Sequence, residues 1–178
     1  MVKKMVLLIF NLLLLRVLSQ KVLSMYSILL TLHSLFRWLV LISLGIAVCR
    51  AYQGWLGNKS FTARDNSLRV ATVTIAHVQL ILGISLYCIS PVVRYFLNYF
   101  KQAVHERQIR FFGMEHITMM VLAIVLLTIG SVKARKKAAG QLKFKTMAIW
   151  FTIALIVIFA SIPWQFSPFT RRPYFRWF

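Results

Sequence analysis

The chain has 178 residues, 60% of them hydrophobic, and its 22 Lys and Arg against 3 acidic residues give a formal charge of +19. Hydrophobicity at that level excludes an ordinary soluble domain. The basic residues stand between apolar runs, as in loops that meet anionic lipid headgroups, so the charge points to membrane lipid and no nucleic acid.

A helix needs about 20 mainly apolar residues to cross the hydrocarbon core, and four such stretches leave no room for a second folded domain. The expected fold is all-α, an integral membrane four-helix bundle occupying 25–162, with an extra N-terminal hydrophobic segment before it. Residues 1–24 carry Lys3 and Lys4, an apolar stretch from Met5 to Leu15 and then Arg16. That is the shape of a signal h-region or an extra helical segment, and Met25 stands as an alternative start. If the segment is retained, Arg16, Gln20, Ser24, Ser27 and Thr31 recur every three or four residues, so one helix can run through it into the first span with a polar stripe.

The spacing predicts spans over 28–49, 69–90, 113–131 and 144–162. The linker 50–68 holds Gly54, Gly57 and Asn58 as breakers and Ser60, Thr62, Asp65 and Asn66 as capping types, and reads as an ordered polar loop. After Pro91, the aromatics Tyr95, Phe96, Tyr99 and Phe100 lead into a basic stretch suited to an amphipathic helix along the interface. The linker 132–145 carries Lys133, Arg135, Lys136, Lys137, Lys143 and Lys145 without an acid, which marks a cytoplasmic face. Cys49 and Cys88 then lie on opposite faces, too far apart for a disulfide. Residues 163–178 have prolines at 163, 168 and 173 and alternate aromatics with arginines, as an extended interfacial tail does.

Ionisable groups within spans are costly and normally face a bundle interior, a cavity or a cofactor. Such groups here are His33, Arg37, His77, Glu115 and His116. His33 and Arg37 are four apart and share one helix face, whereas the fourth span has no titratable group from Thr146 to Ile162 and reads as a packing wall. With a rise of about 1.5 Å per residue, His33 and His116 differ by roughly 3 Å in depth while His77 lies roughly 12 to 15 Å deeper. Two histidines at one level on different helices can hold haem iron axially, making His33 and His116 the candidate metal ligands, with Arg37 able to pair with a propionate. The competing structural reading is that each histidine hydrogen-bonds a neighbouring helix. Met114, Met119 and Met120 near His116 read as packing. Glu115 is the one acid adjoining a span and is expected to pair with Arg37 or Arg110, leaving His116 to face the bundle centre.

The stretches Leu32-His-Ser-Leu-Phe-Arg-Trp38, Ala76-His-Val-Gln-Leu-Ile-Leu-Gly83 and Gly113-Met-Glu-His-Ile-Thr-Met-Met120 resemble the small four-helix bacterial membrane proteins labelled cytochrome b. The second is also similar, locally, to the helices of haem A synthase-like proteins. The resemblance covers most of the chain from Met25. It implies a haem b protein of a bacterial inner membrane with His33, His77 and His116 as ligand candidates; with no C-x-x-C-H attachment motif the haem is expected to be non-covalent, and the expected function is electron transfer, with quinone or other membrane subunits as partners. A single histidine per span argues against two haems stacked across the membrane. A cofactor-free accessory subunit of a larger complex is the alternative from another class, and a transporter a third.

Overall fold

Residues 2–164 are described in a computed structural model as a run of helices. These are α1 (Val2–Leu56), α2 (Ala63–Ile89), the short α3 (Pro91–Asn98), α4 (Phe100–Ala103) and α5 (Arg107–Arg110), a π-helical turn (Phe111–Glu115), α6 (His116–Lys136) and α7 (Gly140–Ser161). No strand occurs among the described residues. Four helices are long and apolar enough to cross a membrane: α1, α2, α6 together with its lead-in, and α7. The protein is therefore a multi-pass all-α membrane bundle. From residue 165 onward, the expected tail lies outside the described residues.

The helices run further than the apolar stretches that locate them. Because α1 continues to Leu56 and α2 starts at Ala63, most of the expected 50–68 loop is helix. Only residues 137–139 separate α6 from α7, so the expected 132–145 linker shrinks to a tight turn. The reason is physical. Hydropathy detects the hydrocarbon crossing, whereas backbone hydrogen bonding continues into the headgroup zone, where Lys and Arg keep their charges wet. Lys133, Arg135 and Lys136 thus occupy the last turn of α6, next to the negative end of its dipole.

At its N-terminus, α2 is built as the capping residues require. Thr62 accepts from the Asp65 backbone N–H while the Asp65 carboxylate accepts from the Thr62 backbone N–H, a reciprocal capping box. Asp65 also receives Arg50 of α1, Nε at 2.6 Å and Nη2 at 3.2 Å. One carboxylate therefore caps a helix and fastens the α1–α2 hairpin. At the same end, Arg69, buried between α2 and α6, donates to Asn66 Oδ1 at 2.8 Å, to the Ser131 carbonyl at 3.3 Å and to the Ser131 hydroxyl. Lys133 lies over Trp150, Lys143 over Phe61 and Lys145 over Trp55, so basic and aromatic side chains form a belt on this face.

The core lies among α1, α2, α6 and α7 and is rich in alanine: Ala47, Ala51, Ala76, Ala123, Ala134, Ala148 and Ala154 are buried with Leu44, Leu127, Met147 and Phe151. Small residues let helix backbones approach closely, which is how membrane helices gain packing without a hydrophobic drive between them. Gly130 is such a point, since a Cβ there would overlap Trp150 of α7. α7 supplies buried residues from Phe144 to Ser161 and packs against α6 and α1, the wall its composition predicts.

α1 has 55 residues. At about 1.5 Å per residue it is about 80 Å long, more than twice the roughly 30 Å of a hydrocarbon core. Ser24, Ser27 and Thr31 donate to carbonyls three or four residues back, so the polar stripe is accommodated within one continuous helix. Phe10, Leu12 to Leu15, Val17, Leu18, Val22 and Leu23 are all exposed. This part of α1 reaches past the bundle.

Candidate functional site: a histidine pair at the end opposite the basic belt

Where α1, α2 and α6 meet near the α2–α3 turn they enclose a cavity of about 150 Å³, and His33, Arg37 and His116 all line it. The imidazole rings of His33 and His116 stand edge to face, 6.4 Å between centroids and 74° between planes. The two histidines that depth counting places at one level do meet in the structure. His77 is elsewhere: its Nδ1 donates to the Val73 carbonyl at 2.8 Å, and its Nε2 lies 3.4 Å from the Thr128 hydroxyl. It joins α2 to α6 and does not line the cavity.

His116 is positioned by what precedes and what faces it. The π-helical turn Phe111–Glu115 shifts the register just before it, a device found often at functional sites. Phe111 packs on its ring with centroids 5.6 Å apart. Nδ1 of His116 lies 2.9 Å from the Ser161 carbonyl at the end of α7. Because a carbonyl only accepts, Nδ1 carries the proton and Nε2 keeps its lone pair. Glu115, one residue earlier, turns aside and takes Arg110 Nε at 2.6 Å. Of the two partners expected for Glu115 it has Arg110, and His116 faces inward.

His33 sits against glycine. A Cβ built at Gly83 would lie 3.2 Å from His33 Cε1 and 3.6 Å from Nδ1, so this edge of the ring rests where any other residue would crowd it. Four residues before Gly83, Gln79 Nε2 donates to the His33 carbonyl at 2.9 Å. Arg37, one turn along α1, places its guanidinium over Trp38 at 5.4 Å and over Trp164 at 6.0 Å. Trp164 is buried, edge-on to Trp38 with centroids 5.9 Å apart, and its Nε1 donates to the Phe159 carbonyl at 2.8 Å. The described chain after α7, residues 162–164, thus brings the Trp164 ring against Arg37. On the α2 side Tyr87 donates to the Gly113 carbonyl at 2.9 Å, tying α2 to the π-helical turn.

Sequence reading missed Gln79, Trp164 and the Ser161 carbonyl. Gln79 carried a signal, since it shares a helix face with Gly83, whereas the other two depend on where α7 ends in space. Chemically, the site offers two imidazoles across a gap, a guanidinium beside two indoles, and Ser34 and Ser90 in its lining. Among the described residues no group of three or more His, Cys, Asp or Glu side chains is arranged to hold a metal ion, so any metal here would rest on the histidine pair. Comparison with protein-family models, with curated proteins and with solved structures returns no match.

Proposed function

We propose that this chain is a haem b-binding protein of the bacterial inner membrane that passes electrons between quinol and a respiratory partner, and that His33 and His116 would hold the haem. The carrying observation is the ring pair. Metal–imidazole bonds of about 2 Å put the centroids of two rings on opposite sides of one ion about 6 Å apart, and the pair here is separated by 6.4 Å. The bond from His116 Nδ1 to Ser161 supplies the outward support that ligating histidines use to fix tautomer and orientation. Arg37 lines the same cavity and is the cation that a propionate there would meet. Bound haem supplies one-electron redox change at its iron. The chain's own residues would fix the imidazole planes, orient the acidic edge of the ligand and, through the Phe111 and Phe112 rings beside His116, limit access of water.

One observation favours a second reading. The cavity of about 150 Å³ is smaller than the roughly 300–1,000 Å³ of ligand pockets, so a macrocycle enters only if rim side chains such as Tyr26 move. A cofactor-free accessory subunit needs no such movement; there the imidazoles bond between helices and the protein co-purifies colourless with its partners in fixed stoichiometry. Pyridine haemochrome analysis of detergent-purified protein from haem-replete cells separates the two. About one haem b per chain supports the proposal, and a colourless protein rejects it.

A further inference from the structure

On the face that carries the basic belt, an open groove runs between α1 and α2 and shares no lining residue with the histidine cavity. It is graded along its length. Gly45 and Ile46 of α1 and Leu68 of α2 line one end, and Arg50 and Gln53 of α1 with Arg64 of α2 line the other. Gly45 to Gln53 is a little over two helical turns, about 12 Å. The apolar stretch of α1 stops at Cys49, so the first end lies at acyl-chain depth and the second among headgroups. Packing within the chain does not account for Gly45. Glycine is a poor residue for a helix interior, and a Cβ built there meets nothing within 4 Å, whereas at each of the other six glycines it meets a neighbour. At the polar end, Arg64 is exposed and has no ion pair among the described residues. Arg50 gives Nε and Nη2 to Asp65, whose carboxylate also accepts the Thr62 N–H and hydroxyl. Two guanidinium groups against that one carboxylate leave the groove with a single net positive charge.

We propose that this groove binds one acidic glycerophospholipid, with an acyl chain lying over Gly45 between Ile46 and Leu68 and the phosphodiester at Arg64 and the remaining Nη1 of Arg50. The Gln53 amide donates to the headgroup. Polarity graded over this length selects a lipid over a soluble anion, because free phosphate gains nothing from the apolar end. Charge selects an acidic lipid over a zwitterionic one, whose own cation would stand against the arginines. A phosphodiester carries one negative charge, which the groove's net charge balances, and guanidinium groups meet phosphate oxygens with paired N–H donors. The site is independent of haem at the histidine pair.

Cys49 lines the same groove, is exposed and supplies the probe. Full-length protein carrying Cys88→Ser, which leaves Cys49 as the one thiol, is reconstituted in nanodiscs of phosphatidylcholine with or without phosphatidylglycerol. The readout is the ratio of Cys49 alkylation rates by uncharged N-ethylmaleimide in the two compositions, with lipid adducts counted by native mass spectrometry. Phosphatidylglycerol slows the reaction and gives one retained adduct. Arg64→Gln lowers the preference for phosphatidylglycerol over phosphatidylcholine roughly fivefold. Lys137→Gln, which removes an exposed cation of the α6–α7 turn outside the groove, leaves the preference unchanged and so accounts for general surface charge. Gly45→Leu fills the apolar end and removes both the rate difference and the adduct. Its melting temperature stays at or above wild type, since the side chain enters open space in a helix that favours leucine. Equal rates in the two compositions, an equal loss with Lys137→Gln, or protection by inorganic phosphate in phosphatidylcholine alone overturns the proposal. So does a Cys49 blocked in both compositions, which would mean that a protein partner or a second copy of the chain covers the groove.

Discussion

Gly83→Ala separates the site from the scaffold. The added methyl would stand 3.2 Å from His33 Cε1, a few tenths of an ångström inside the roughly 3.5–4.0 Å optimum for carbon pairs. His33 borders a cavity, so its ring can tilt away. Replacing a mid-helix glycine by alanine also stabilises the helix by about 1 kcal/mol, which is of the same order as the residual crowding. The net change in stability is therefore expected within about 1 kcal/mol of zero, while the imidazole is displaced from His116. Gly130→Ala is the control. Its methyl would overlap Trp150 at Cβ, an atom anchored to the α7 backbone that cannot swing aside. Overpacking of that kind costs about 1–3 kcal/mol against the same propensity gain. Thermal denaturation in detergent, followed by circular dichroism, reads the stability, and the His33 Cε1–H chemical shift reads the ring. The reasoning is refuted if Gly83→Ala lowers the melting temperature as much as Gly130→Ala, or if the His33 signal does not move.

Asp65→Ala removes a helix cap and the carboxylate that holds Arg50 at 2.6 Å. Capping alone is worth about 1 kcal/mol, so a loss of roughly 1–3 kcal/mol is expected once the charge-assisted bonds are included; denaturant unfolding in mixed micelles checks it, and a loss no larger than that of Thr62→Ala would contradict the shared role. Arg69 is buried between α2 and α6 and bonded to Asn66 and Ser131. Arg69→Met, which keeps most of the volume, is expected to be clearly milder than Arg69→Ala, because replacing a buried charge by a packed apolar side chain is often near neutral. Equal melting temperatures for the two variants would show that packing of the side chain contributes nothing there.

Much of this architecture is written locally in the chain. The four crossings follow from apolar run length, the Thr62–Asp65 cap from its spacing, and the meeting of His33 with His116 from depth counted along antiparallel helices. The scarcity of acids predicts that Glu115 is paired, with Arg37 or Arg110, and the structure gives Arg110. Helix ends were misjudged because apolar pattern stops at the hydrocarbon boundary while the backbone ladder does not, as Arg50 to Leu56 and Lys133 to Lys136 demonstrate. His77 carries the same residue type as the cavity pair, yet bonds to Val73 and Thr128; only the rotation of α2 about its axis decides that, and with polar residues at 72, 74, 77 and 79 the pattern of α2 does not single out one face. Trp164 reads as tail from composition and is core in space, because a turn after Ser161 lets its indole reach back to the Phe159 carbonyl.

The central claim is that His33 and His116 together hold one haem iron, and the most direct measurement is the reduced-minus-oxidised absorption spectrum of wild type beside His33→Ala, His116→Ala and His77→Ala, each purified from haem-replete cells at matched folded yield. The account predicts a Soret and an α band in wild type, their loss or conversion to a five-coordinate form in His33→Ala and in His116→Ala, and retention in His77→Ala. Absence of bands in wild type, or bands that survive removal of either cavity histidine and disappear with His77, would contradict it.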